Sequence, residues 1–198
     1  MSENVSKGNQ ESIEKKLTAS FFKVAAMVAV AAVVGVLALM VISNRYAYAL
    51  KNFGFAQGDI GTAMFEFADL RSSLRAAIGY DDADAIGTVV AQHDELIVKF
   101  KESFAKIEDT IVSDAGRVTY DAISQELDNY WKLDAEIMAL GATTDRELCR
   151  QAQEIALKDL APVYNSIYAK LEELMDVKVN EGNDLSTTLM VTGWILVA

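Results

Sequence analysis

The chain is poor in residues that cross-link, break or punctuate a fold. Its 198 residues include one cysteine, one proline and one histidine. A single cysteine excludes an intrachain disulfide framework and any zinc site built on several thiolates. A single histidine excludes histidine-rich metal clusters. Cys149 and His93 are then the only residues available for a Cys-His nucleophile pair. One proline and eleven glycines permit few chain reversals, so a few long helices are expected. Positive charge is also scarce, with 18 Lys and Arg against 29 Asp and Glu, a net charge of −11. Nucleic acid is therefore not an expected partner, because phosphate neutralisation needs clustered Lys and Arg. No phosphate loop, nucleophile motif or metal-ligand spacing occurs. The expectation is a protein that is not an enzyme, with no catalytic residue, cofactor or metal.

Apolar sequence is abundant, and its distribution decides the class. Residues 24–42 read VAAMVAVAAVVGVLALMVI, nineteen residues without a charge. Phe21 and Phe22 extend the run beyond Lys23. About 20 apolar residues in a helix span a hydrocarbon core of about 30 Å. A cleaved signal peptide is the alternative, and Ala47-Tyr48-Ala49 has the form of its cleavage site. The apolar region of a signal peptide usually runs about 7–15 residues. This run is longer, which favours an uncleaved transmembrane helix over residues 21–42. Lys7, Lys15, Lys16 and Lys23 precede it, whereas only Arg45 and Lys51 follow closely. The positive-inside rule then places residues 1–20 in the cytoplasm as a short polar tail.

A second apolar run, LSTTLMVTGWILVA, occupies residues 185–198 and has no closing charged flank. It is expected to be the truncated start of a second transmembrane helix, with Trp194 a candidate interfacial aromatic. Residues 43–184 then lie outside the cytoplasm. They hold 26 Asp and Glu against 14 Lys and Arg, net −12. Such charge keeps a domain soluble and says little about its fold.

The external segment reads as four long helices. In the first, about 43–79, Phe53, Ile60, Phe67 and Leu74 repeat every seven residues. Met64 and Ile78 share the seam, as do Gln57 and Arg71. Ala56, Ala63, Leu70 and Ala77 form a flanking stripe, mostly of small residues, that lets another helix approach. The second helix, about 84–112, alternates by four and three through Ile86, Val90, His93, Ile97, Phe100, Phe104, Ile107 and Ile111. The third, about 117–140, buries Tyr120, Ile123, Leu127, Tyr130 and Ile137, with Asp134 interrupting and Gly141 as a C-terminal stop. The fourth begins after Thr144, which has capping-box spacing to Glu147. Leu148, Ala152, Ile155, Leu160, Ile167, Leu171 and Leu174 carry its apolar face. Pro162 is expected to kink it, because proline has no N–H to bond back to residue 158. At about 1.5 Å per residue, the first and fourth helices are each roughly 55–60 Å long. Short breaks favour antiparallel neighbours. The expected fold is all-α: a membrane-anchored, antiparallel up-down-up-down four-helix bundle whose outer helices continue into transmembrane helices.

Two stretches then carry a specific likeness. FADLRSSLRAAI (67–78) lies in the first helix, and LKDLAPVYNSIYAKLEELMDVKVNEGND (157–184) opens with Leu-x-x-Leu-x-Pro in the fourth. With two spans bracketing a bundle, residues 21–198 resemble the N-terminal sensory region of methyl-accepting chemotaxis proteins. The resemblance implies a bacterial cytoplasmic-membrane receptor and a homodimer. It also implies a cytoplasmic relay and output domain beyond residue 198, through which cytoplasmic signalling proteins are reached. The same module occurs on sensor histidine kinases and cyclic-dinucleotide enzymes. A structural membrane anchor that senses nothing is the alternative from a different class.

Arg71 and Arg75 lie one turn apart near the tip of the first helix, and Arg146 and Arg150 one turn apart near the start of the fourth. The proposed topology brings all four to one end. Arginine's planar fork binds carboxylates bidentately, so a small carboxylate or amino acid is a candidate ligand; a periplasmic binding protein is another. Arg71 and Leu74 resemble the Arg-x-x-Leu of the family's amino-acid receptors, whose next arginine comes one residue later than Arg75. Surface pairing with Asp69, Asp81, Asp145 or Glu147 is the alternative role. Arg71 is the leading candidate because it falls on an apolar seam, where a lone charge is costly. His93 is expected to be a hydrogen-bonded core residue, with Asp134 a candidate partner. Cys149 is expected to be inert, an intermolecular disulfide being the alternative.

Overall fold

The three-four spacing of apolar residues produces helix at nearly every described position. The computed structural model describes the backbone of residues 3–197 and the side chains of residues 13–193. Its elements are α1 (Glu3–Ala49), a π-helical segment (Leu50–Phe55), α2 (Ala56–Ala77), α3 (Ala83–Glu108), α4 (Asp114–Gly141), α5 (Arg146–Ile155), a second π-helical segment (Ala156–Leu160) and α6 (Ala161–Val197). No strand occurs among the described residues. Residues 48–190 form one unit, and residues 1–47 with 191–198 form another.

In the second of these units, the large apolar side chains from Phe21 to Ile42 are exposed. Among the described residues one helix, Ile13–Ala77, is long and apolar enough to cross a membrane. Residues 1–12 of the expected cytoplasmic tail, and residues 194–198 of the second apolar run, Trp194 among them, lie outside the described side chains.

Residues 48–190 are a four-helix bundle of α2, α3, α4 and the α5–α6 pair. Both stripes read from α2 are inside it: Phe53, Ile60, Phe67 and Leu74, and Ala56, Ala63, Leu70 and Ala77, are all buried. Phe67 is a hub. Its ring centroid lies 5.1 Å from that of Phe100 on α3, 4.8 Å from Tyr130 on α4 and 4.8 Å from Tyr164 on α6. One aromatic from each helix thus meets at one level, where offset and tilted ring pairs add to burial.

The turns have local causes. Asp82 caps α3 by accepting the Ala85 N–H at 2.8 Å, and Ser113 caps α4 by accepting that of Gly116 at 3.1 Å. The cap of α5 is Asp145, which accepts the N–H groups of Glu147 and Leu148 at 2.9 and 3.3 Å. This corrects the capping box expected from Thr144. An Asp one residue later reaches two amide donors at once and, near a helix N-terminus, carries the favourable charge. Gly141 is the last residue of α4 and has no positive φ, so a left-handed stop is not its role. It is there because a Cβ would meet the Ala152 Cβ at 2.4 Å and Ile78 Cγ2 at 2.8 Å. Leu148, expected on the apolar face, is exposed.

Pro162 disturbs the fourth helix upstream of itself. Just before it the ladder widens to π over Ala156–Leu160, where the Ala161 N–H bonds back to the Ala156 carbonyl, and Pro162, with no N–H to donate, follows as the second residue of α6. Beyond it, Tyr164, Ile167, Leu171, Leu174 and Lys178 face the core.

Candidate functional site

Phe67 fixes the level from which the site is built. One turn further along α2, Arg71 leaves the core edge half-buried, with its guanidinium carbon 4.3 Å from the centroid of the Tyr164 ring. Its Nη1 donates to Asn165 Oδ1 at 3.5 Å. Tyr164 is itself held from behind, stacked on Phe67 at an interplanar angle of 11°. Arg75, another turn on, is exposed.

Both arginines line a groove of about 370 Å³ between α2 and the fourth helix. That volume is within the ~300–1,000 Å³ of small-molecule sites. Leu74 comes from α2 and Ile78 from its C-cap, Gln153 from α5, and Ala161 and Tyr164 from α6. The π-helical segment contributes Ala156, Leu157 and Leu160. Gln153 Nε2 donates to the Ile78 carbonyl at 2.9 Å, tying the two walls together. π segments inside α-helices often accompany functional sites, and this one forms part of a wall.

Charge separates the four candidate arginines into two kinds. Arg146 pairs with Asp81 at 3.3 Å, both side chains well exposed. Arg150 pairs with Glu147 at 2.8 Å and reaches Glu154 at 3.9 Å. Its hydrogen bonds, with one from Gln151, hold the Glu147 carboxyl down at about 2. These two line a neighbouring depression of about 270 Å³ with Tyr80, Thr144 and Cys149, which shares Ile78 and Gln153 with the groove. Arg71 and Arg75 make no ion pair among the described residues. The fold therefore brings Arg71 and Arg75 into one groove and sets Arg146 and Arg150 beside it with carboxylate partners.

The bundle interior holds a second polar constellation. His93 Nε2 lies 3.0 Å from Asp134 Oδ2, and His93 Nδ1 lies 2.8 Å from Ser73 Oγ. Sequence reading proposed Asp134 and missed Ser73. A serine, histidine and carboxylate in line have the geometry of a nucleophilic triad. Here His93 is 1% exposed and Asp134 3%. The pair is enclosed by the core and forms a hydrogen-bond network with the half-buried Ser73. Cys149 does not meet His93. Its buried thiol donates to the carbonyls of Thr143 at 3.0 Å and Gly141 at 3.4 Å.

One further charged group was not legible. Lys178 is fully buried, with Nζ donating to the Thr110 carbonyl, Glu181 at 3.7 Å and the Phe53 ring centroid at 5.7 Å. Burial lowers its pKa against the pull of Glu181. It continues the Leu171 and Leu174 spacing, so position marked it as inward-facing while residue type argued otherwise.

Comparison with curated proteins and with solved structures returned no match. A family described as a four helix bundle sensory module for signal transduction matches residues 10–189. The match takes in the bundle, the arginine-bearing groove and most of α1, and the chain belongs to this family of sensory modules, the one carried by methyl-accepting chemotaxis proteins.

Proposed function

We propose that the chain is the sensory region of a membrane chemoreceptor that detects a small carboxylate in the groove bounded by Arg71 and Arg75. One observation carries the reading. In a segment of net charge −12, these two arginines stand on a ligand-sized groove without a carboxylate partner, whereas Arg146 and Arg150 have theirs. An unpaired guanidinium beside apolar walls offers a planar fork to an incoming carboxylate.

Residues 21–42 cross the bacterial cytoplasmic membrane with the N-terminal tail inside. Residues 43–184 lie outside, and residues 185–198 begin the return span. The receptor works as a homodimer. Ligand contact with the fourth helix biases one packing state over another, and the shift passes to a cytoplasmic signalling domain beyond residue 198. A ligand moves this equilibrium only through a difference in affinity between the two states. Packed helices move as units, so a ligand touching α2, the π-helical segment and α6 together is placed to create that difference.

The test is thermal unfolding of the full chain in nanodiscs against a panel of small carboxylates. A ligand at 100 times its dissociation constant stabilises by about 2.7 kcal/mol. The reading expects a shift that is lost in Arg75→Gln, an exposed position where the fold tolerates the change. A shift that survives both Arg75→Gln and Arg71→Gln moves the site elsewhere. No shift with any acid removes the carboxylate reading and leaves a periplasmic binding protein as the stimulus.

A further inference from the structure

Resting on the carboxylate reading of the groove, we infer that its ligand is a carboxylate with an apolar body and no ammonium group, so that the free α-amino acid of the same skeleton is rejected. The groove has two cationic side chains and no Asp or Glu among its lining residues. A carboxylate placed at Arg71 or Arg75 finds a charge partner. An α-ammonium carried on the next atom finds two guanidinium groups and no anion. The remaining polar side chains are Gln153, whose Nε2 is committed to the Ile78 carbonyl, and Tyr164, so only the neutral Gln153 Oε1 and the Tyr164 hydroxyl are side-chain acceptors. Neutral acceptors do not offset the desolvation of an ammonium and its repulsion by nearby cations. Selectivity thus comes from a repulsive element as well as an attractive one.

The rest of the lining selects the body of the ligand. Leu74, Ile78, Ala156, Leu160 and the Tyr164 ring form an apolar floor. Leu157 stands over it, 74% exposed, the largest exposure of any large apolar side chain among the described residues. An alkyl or aryl body seated on this floor removes the Leu157 side chain and its own surface from water together. Acids without such a body, acetate and succinate among them, engage the arginines and leave that surface wet.

Matched ligand pairs isolate the claim. Isothermal titration calorimetry is run on the full chain in nanodiscs, with empty nanodiscs as the partition control. The pairs are 3-phenylpropanoate with phenylalanine and 4-methylpentanoate with leucine, each differing by the α-ammonium alone; acetate and succinate complete the set. The expected result is that the plain acid of at least one pair binds about tenfold or more tighter than its amino acid, a difference of about 1.4 kcal/mol, and tighter than acetate or succinate. Leu157→Glu supplies the missing anion at an exposed position and is expected to narrow the ratio within that pair. Equal binding within both pairs, or tighter binding of the amino acids, overturns the inference and leaves the carboxylate groove standing. Binding of acetate or succinate above both plain acids overturns the apolar body in the same way. An unchanged ratio in Leu157→Glu overturns the charge argument. Failure of all six to bind overturns the inference and the carboxylate reading together.

Discussion

The Arg71 guanidinium lies over the Tyr164 ring, 4.3 Å from its centroid, and Tyr164 in turn stacks on Phe67. The chain of contacts runs from the groove to the centre of the bundle, linking the first helix to the fourth. Arg71→Lys keeps the charge and loses both the planar stack and the fork. The expected outcome is carboxylate binding weakened by about tenfold or more, with a stability loss of about 1 kcal/mol, the size of a cation–π contact at a partly exposed site. Calorimetry and chemical denaturation on the same sample check both numbers.

Asp134 holds His93 inside the bundle, and neither has an alternative solvent partner. Asp134→Ala leaves the buried His93 Nε2 without its partner, while Nδ1 keeps Ser73. Chemical denaturation is expected to show a loss of about 1–3 kcal/mol, the cost of leaving a buried hydrogen-bonding group unsatisfied. Asp134→Asn keeps a hydrogen-bond acceptor and is expected to lose less. Equal losses for the two variants would show that the carboxylate, which both remove, sets the cost rather than the acceptor oxygen and volume that Asn keeps.

Glu126 gives the acid limb of stability. Burial pushes its carboxyl up, but hydrogen bonds from Lys170 at 2.9 Å and Ser166 at 3.1 Å, with the Lys170 charge, bring it below the ordinary glutamate value. A carboxyl lowered by folding stabilises the native state above its unfolded pKa, and that contribution disappears as pH falls through the folded value. Wild type is therefore expected to exceed Glu126→Gln in stability at neutral pH. The gap should close as pH drops from about 4.5 through the lowered value. A gap that is constant with pH would exclude the ion pair as its source.

Gly141 is expected to tolerate no side chain. A Cβ there would lie 2.4 Å from that of Ala152 and 2.8 Å from Ile78 Cγ2, so the end of α4 must move from α5. Gly141→Ala is expected to cost about 1–3 kcal/mol, the range of core overpacking. Because Ile78 also lines the groove, ligand affinity should fall with it. Thermal unfolding with and without ligand separates the two effects.

Much of the bundle was readable from spacing alone. From Phe53 through Ala77 the buried apolar positions advance by three and four, the spacing of a helix. The turns carried their own residue signals. The four arginines were legible as a set, but their separation was not. Arg150 between Glu147 and Glu154 follows helix neighbour spacing and was available from sequence; Asp81 was one of four candidate partners, and assigning it to Arg146, 65 positions away, needed the fold. Ser73 escaped notice because its role depends on a histidine 20 residues away on another helix. The π-helical segments have no residue signature of their own. Pro162 announced an irregularity, and only packing fixed its place before the proline.

The second π-helical segment has a consequence for how the fourth helix moves. Relaxing it to ordinary α geometry would release about one residue, turning everything downstream by about 100° and advancing it by about 1.5 Å. A turn of that size would swing Tyr164, Ile167, Leu171 and Leu174 off the core and drag the Lys178 ammonium from the Thr110 carbonyl. The widened turn acts as a locked thread. A screw rotation of α6 would therefore have to break this packing.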